Sequence, residues 1–258
     1  DLSAQLTRAD GRQVARYLPR PEIMGQATRA WLAAGIRAGQ ASDVHLRLRG
    51  DLREFPFRDP AQGEFSVAAR VSGAELKYAE AWPPIGDIDG ELLFERDRME
   101  IAGRSGAVFG ARLANVRVSL PRIGGPEPRL VVTGQAEGPS SEFLRFIEAS
   151  PVRASTGGFI SQMSAAGSGR LRLKLELPLR ELAQSRVEGE FDFAGNSIRL
   201  QPDLPALEDA GGRLSFTRSR LKVHGVQGRL AGGPVVLDGG TLEDGTMRIV
   251  AKGEATAA

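Results

Sequence analysis

Gly169-Arg170-Leu171-Arg172-Leu173-Lys174-Leu175-Glu176-Leu177-Pro178 sets a leucine at every second position and a charge between each pair. Successive side chains of a strand point to opposite faces, so Leu171, Leu173, Leu175 and Leu177 share one face and Arg172, Lys174 and Glu176 the other. No helix sorts that pattern, because a period of 3.6 would scatter the leucines around its axis. Working outward, the same period returns. Val44, Leu46 and Leu48 alternate with His45, Arg47 and Arg49, and Phe65, Val67, Ala69 and Val71 take one face of the next stretch. Phe191 and Phe193 alternate with Glu190 and Asp192, and Met247 and Ile249 flank Arg248. Antiparallel sheets tolerate one apolar and one solvated face, which is the sheet these strands specify.

Helical patterns are confined to two places. Asp10 caps a short helix expected through Val14 to Leu18, stopped by Pro19 and Pro21. A second helix is expected roughly from Met24 to Ala38, with Met24, Ala27, Trp31 and Ala34 at helical spacing and Gly39 at its end. One more short helix is expected near Ser141 to Ala149, between Pro139 and Pro151.

The chain also repeats itself. A slide of 122 residues lays Trp82–Gly110 over Leu204–Gly232 without a gap. The identities include Pro83/Pro205, Asp87/Asp209, Gly90/Gly212, Leu92/Leu214, Phe94/Phe216 and Gly103/Gly225, with Ile85/Leu207, Met99/Leu221 and Ile101/Val223 as conservative pairs. Upstream, Gly63-Glu64-Phe65 returns as Gly189-Glu190-Phe191. These matches fall on glycines, turn residues and one strand face, as a duplication of a structural unit requires. In each copy a strand leads through a Pro-containing crossing segment to a hairpin, Gly90–Gly103 or Gly212–Gly225, whose central polar residues form the turn.

Composition removes several function classes. With 34 Lys+Arg against 32 Asp+Glu the net charge is only +2, and arginines stand singly along strands, which is a solvated face and no phosphate-binding patch. No nucleic-acid partner is expected. Cysteine is absent, so thiolate metal sites and disulfides are excluded. The two histidines, His45 and His224, sit on the charged phase of their strands, without a second ligand at metal spacing. Gly157-Gly158 and Gly167-Ser168-Gly169 fit neither a phosphate loop nor a dinucleotide fingerprint and read as loop and strand-entry signals. Asp87 and Asp89 flank a turn into a strand, and turn chemistry is their expected role. No enzyme, metal or cofactor is expected. No run approaches the 18 apolar residues of a membrane helix. The chain starts at Asp1 with Leu-Ser-Ala-Gln-Leu already alternating, so a segment of a longer polypeptide is expected, with any membrane anchor outside it.

An apolar sheet face must be covered by something. A second sheet, closure into a barrel, or a trough that holds acyl chains would each serve. Charges on the outer phase and helices among the strands speak against a membrane barrel. For the trough the energetic purpose is plain. Each CH₂ in water costs about 0.8 kcal/mol, so a sixteen-carbon chain leaving a bilayer faces on the order of 12 kcal/mol, which a continuous apolar lining removes.

The chain resembles the AsmA-like superfamily, most closely its YhdP branch. The resemblance is carried by Arg16–Pro19 followed by Trp31-Leu32, by Arg49–Asp59 and Gly63–Phe94, and by Gly167–Leu179 with the second repeat through Gly232-Gly233. It implies a mainly β fold: an elongated, taco-like antiparallel β-groove built of repeats, with a short N-terminal helical segment and one linker helix. It also implies the periplasmic portion of a bacterial protein anchored in the inner membrane. That protein moves phospholipids between inner and outer membranes and supports the outer-membrane barrier, with acyl chains as the direct partner. A β-scaffold with a filled core that helps assemble the envelope is the alternative.

On this basis four segments are expected: a strand end plus two helices over 1–40, a first groove repeat over 41–138, a linker with a short helix over 139–166, and a second groove repeat over 167–258. The expected lipid lining is the apolar phase of the strands: Val44, Leu46, Leu48, Phe65, Val67, Val71, Leu92, Phe94, Met99, Ile101, Val116, Val118, Leu171, Leu173, Leu175, Phe191, Phe193, Leu214, Phe216, Leu221 and Val223. A one-residue slip of phase inverts any of these locally.

Overall fold

Alternating strands separated by glycine and polar turns build a single antiparallel array. The structure is a computed structural model that describes residues 1–18, 24–156 and 158–253. Among these, thirteen strands form one sheet in sequence order: β1 Leu2–Asp10, β2 Ile36–Gly50, β3 Gly63–Leu76, β4 Ile85–Glu95, β5 Arg98–Val108, β6 Ala111–Leu120, β7 Arg129–Pro139, β8 Ser164–Pro178, β9 Arg186–Arg199, β10 Leu207–Thr217, β11 Leu221–Leu230, β12 Gly233–Thr241 and β13 Met247–Gly253. The order runs from β1 to β13 without closing, so the fold is mainly β, an open sheet with two edges. Three helices interrupt it, α1 Gln26–Gly35, α2 Ser140–Glu148 and α3 Val152–Ser155, together with short 3-10 turns.

The duplication is visible in the backbone. At the 122-residue offset β4 falls on β10 at both ends, and Ala111, which opens β6, falls on Gly233, which opens β12. Unusual conformations repeat with it. Asp87 and Asp209 have φ of 50° and 49°, and Phe109 and Ala231 have 51° and 49°. Strand pairing keeps the same offset, because Val67 lies opposite Phe94 as Gly189 lies opposite Phe216. Gly63-Glu64-Phe65 and Gly189-Glu190-Phe191 are therefore not equivalent positions. They sit four residues out of step, an even slip that leaves their faces unchanged.

Two helical elements differ from expectation. Asp10 caps as expected, its Oδ1 accepting from the Arg12 N–H at 3.0 Å, but the element is a 3-10 turn over Gly11–Arg16. Pro19 and Pro21 lie outside the described residues, as does Gly157. The second helix stops at Gly35, where β2 begins pairing with β3, Ile36 opposite Leu76 and Ala38 near Glu75. Pairing outweighs the helical spacing that runs on through these residues. Gly39 lies within β2 at φ 116°, and an added Cβ there would stand 2.6 Å from the Ala74 Cα. Gly167 and Gly169 likewise lie inside β8 rather than at its entry.

The chain falls into two units, Asp1–Val108 with Leu113–Thr133 and Glu176–Gln184, and Phe109–Arg112 with Gly134–Leu175 and Ser185–Ala258. In the first, Phe57 is fully buried against Gly50 and Gly63, and Phe55 meets Phe65 edge-on at 5.0 Å, so the Phe55-Pro56-Phe57 string closes one end of β2 and β3. In the second, Phe193, Leu207, Ala210, Val223, Val226 and Val235 form a buried cluster. At the far edge β13 is exposed along its whole length, Met247 and Ile249 included, so its alternation marks no buried face.

Candidate functional site: the apolar sheet face

Cross-strand partners share a face, so the register shows which apolar residues form rows. In the first unit Leu48 lies opposite Leu2 and Phe65. One row runs Ala4, Leu46, Val67, Phe94, Met99, and another Ala69, Leu92, Ile101. Val44 continues the face opposite Leu6, and Val71 continues it opposite Gly90. Val116 approaches Gly103, and Val118 follows on β6. In the second unit Phe191, Leu214 and Val223 form a row, with Gly189, Phe216 and Leu221 beside it and Phe193 opposite Gly212. Leu171, Leu173 and Leu175 carry the same phase on β8.

These rows are neither core nor open surface. Phe193 and Val223 are buried, whereas the other nineteen expected lining residues are half-buried. The cover that exists is local. Phe143 of α2 stands edge-on to Phe191 with centroids 4.9 Å apart, and Phe191 stacks on Phe193 at 5.8 Å. The helix reaches this place because Pro139 ends β7, Glu142 accepts from the Gly110 N–H at 3.2 Å, and the buried Ser140 hydroxyl accepts from Asn196 Nδ2 at 2.9 Å.

Of the buried cluster of the second unit, Phe193 and Val223 belong to the expected apolar phase, and Leu207, Ala210, Val226 and Val235 were missed. Leu207 and Val226 lie beyond register shifts, where a bulge moves the inward face from one parity to the other. Glycines inside the strand patterns, such as Gly212 and Gly225, were the available signal.

The other face is a ladder of charge. Arg70 meets Asp43 at 2.9 Å, and Glu91 receives Arg104 at 3.5 Å. Arg172 reaches both Glu190 at 2.8 Å and Asp192 at 2.9 Å, and Arg213 bonds Asp192 at 2.6 Å. The Arg213 hydrogen bond chiefly, with the Arg213 and Arg172 charges, holds the Asp192 carboxyl below its ordinary range. Polar residues singled out above serve the backbone. Asp89 accepts from the Gly73 N–H at 2.9 Å and from Ser105 Oγ at 3.2 Å, and Asp238 accepts from the Gly225 N–H at 2.8 Å. His224 Nε2 lies 2.7 Å from Ser215 Oγ on the exposed face. Among the described residues no three His, Cys, Asp or Glu gather to hold a metal, and no helix is long and apolar enough to cross a membrane.

The family described as YhdP protein matches residues 1–258, the full length of the chain. The protein named Intermembrane phospholipid transporter YhdP of Escherichia coli (strain K12) is 25% identical over 243 residues, which cover 94% of this chain and 19% of that relative. The chain thus spans about a fifth of that relative's length. No solved structure matches it. With strand rows, repeat and charged ladder in place over the same residues that the family covers, the chain belongs to the YhdP family.

Proposed function

We propose that this chain is a lipid-conducting segment of a bacterial envelope protein, carrying phospholipid acyl chains on the apolar face of its open sheet. The observation that carries the proposal is the half-buried state of the rows through Val67, Leu92, Leu173 and Leu214. Each is partly open to solvent. An acyl chain laid across these tips removes water from both surfaces, at about 25 cal/mol per Å². A uniform lining of Leu, Val, Ile and Phe offers no deep polar stop, so a chain slides from row to row. The work asks for no catalytic group, and none is assigned.

The printed function of the E. coli relative, transport of phospholipid between membranes, fits that role. By this reading the segment lies in the periplasm, between an inner-membrane anchor and the outer membrane, both engaged by other parts of the polypeptide. The buried cluster around Phe193 favours a second reading for part of the molecule, a filled scaffold without lipid.

Native mass spectrometry with lipid extraction on the chain purified from a bacterial envelope separates the two. Phospholipid is expected on the wild type and lost from the folded Leu173→Asp/Phe216→Asp variant. A folded wild type that carries no lipid would reject conduction in favour of the filled scaffold.

A further inference from the structure

The helical segment between β7 and β8 lies on the face that the acyl-chain reading assigns to lipid. Phe191 belongs to the row Phe191, Leu214, Val223, and its ring lies over Gly169 of β8, where an added Cβ would meet it at 2.1 to 2.9 Å. On that ring stands Phe143 of α2, edge-on at 4.9 Å. A helix side chain thus takes up hydrocarbon surface on the row itself. In element order the segment holds the place of α1, which stands between β1 and β2 six strands earlier, so the insertion belongs to the repeated unit.

The attachments of α2 are graded along its length. At its first residue the Ser140 hydroxyl accepts from Asn196 Nδ2 at 2.9 Å, and the two residues are 5% and 1% exposed. Beyond that point the polar ties stand in solvent. Glu142 accepts from the Gly110 N–H at 3.2 Å, and the Arg145 guanidinium lies 4.1 Å from the centroid of the exposed Phe109 ring. Charged contacts in solvent hold weakly, and salt screens them. At the far end Glu148 Oε1 is buried without a donor among the described residues, a cost that lifting the helix removes. α2 also packs on α3 and on the 3-10 turn Phe159–Gln162, so the segment keeps contacts of its own when it leaves the sheet.

We propose that α2 is a gate on the acyl-chain face: it turns about the Ser140–Asn196 bond, and Phe143 and an acyl chain exclude each other from Phe191. Closed, as in this structure, it covers the row; open, it frees the row for lipid. The inference rests on the acyl-chain reading above and adds control of access to it. The freed surface takes hydrocarbon, because Phe191, Leu214 and Val223 carry no hydrogen-bonding group.

The test fixes the gate by a reversible bond. A Cβ added at Gly110 would stand 2.9 Å from Glu142 Cγ, so the pair Gly110→Cys/Glu142→Cys is within disulfide reach, and the chain has no other cysteine. The full chain, with benzoyl-phenylalanine at Leu214 directly opposite Phe191, is irradiated with vesicles of phosphatidylethanolamine and phosphatidylglycerol. Oxidation with diamide is expected to bring lipid adducts at Leu214 down to the background read at Ser215 on the charged face, and dithiothreitol to restore them. Adducts at Val67, in the other unit, are expected to be the same in both states. Without the cysteine pair, Phe143→Ala is expected to raise adducts at Leu214 about two- to tenfold, as loss of an edge-on ring pair implies. Equal adducts at Leu214 in the oxidised and reduced chain, or no rise with Phe143→Ala, would overturn the gate and make α2 a fixed wall, while adducts at Val67 leave the acyl-chain face standing. No adducts at Val67 or Leu214 in any state would remove the acyl-chain face and the gate together.

Discussion

At the scale of single residues, close approach and charge set the tolerances. A Cβ added at Gly189 would meet the Phe216 ring at 2.2 to 2.6 Å, because that ring lies flat over the glycine of the neighbouring strand. Gly189→Ala is expected to destabilise the chain by about 1–3 kcal/mol in urea unfolding, the cost of overpacking. The loss should shrink when Phe216→Leu accompanies it, since the two residues share one contact. Asp192 supplies the acid-sensitive contact. Its carboxyl lies below the ordinary 3.8 when folded, so its stabilisation is full above about pH 4 and fades as the pH falls through the lowered value. With the pair partly in solvent, Asp192→Asn is expected to cost about 0.5 kcal/mol at pH 7, less in high salt, and progressively less as the pH falls through the lowered value. The face of Asp192 was legible from alternation. Its two arginine partners were not, because they stand on other strands and register decides which charges meet.

At the scale of elements, bulges decide what alternation cannot. Asp87 and Asp209 hold φ near 50° inside strands, a conformation costly for a branched side chain. Asp209→Val is expected to destabilise by about 1–2 kcal/mol and Asp209→Gly to be neutral or better, measured by thermal or urea unfolding. Strand by strand, the alternation of Leu46 and Leu48 was readable, since no register shift falls between His45 and Gly50. Val226 was not, because a register shift between Val223 and Val226 moves the buried parity. The end of α1 was unreadable for a different reason. Ala38 favours a helix and Ile36 a strand, so propensity leaves the boundary open, and pairing with β3 made the choice.

At the scale of the molecule, duplication and an open sheet follow from one economy. A unit that cannot finish its own apolar face repeats, and the repeat lengthens the face. The family was legible because its strings run in order along the chain, and the match over residues 1–258 agrees. The central claim is that lipid lies on one face of the sheet and not the other. A photoreactive benzoyl-phenylalanine placed in turn at Val67, Leu92, Arg70 and Glu91, followed by irradiation in the envelope and lipid analysis, tests it most directly. The account predicts phospholipid adducts at Val67 and Leu92 and none at Arg70 and Glu91. Equal labelling of both faces, or none at Val67 and Leu92, would contradict it.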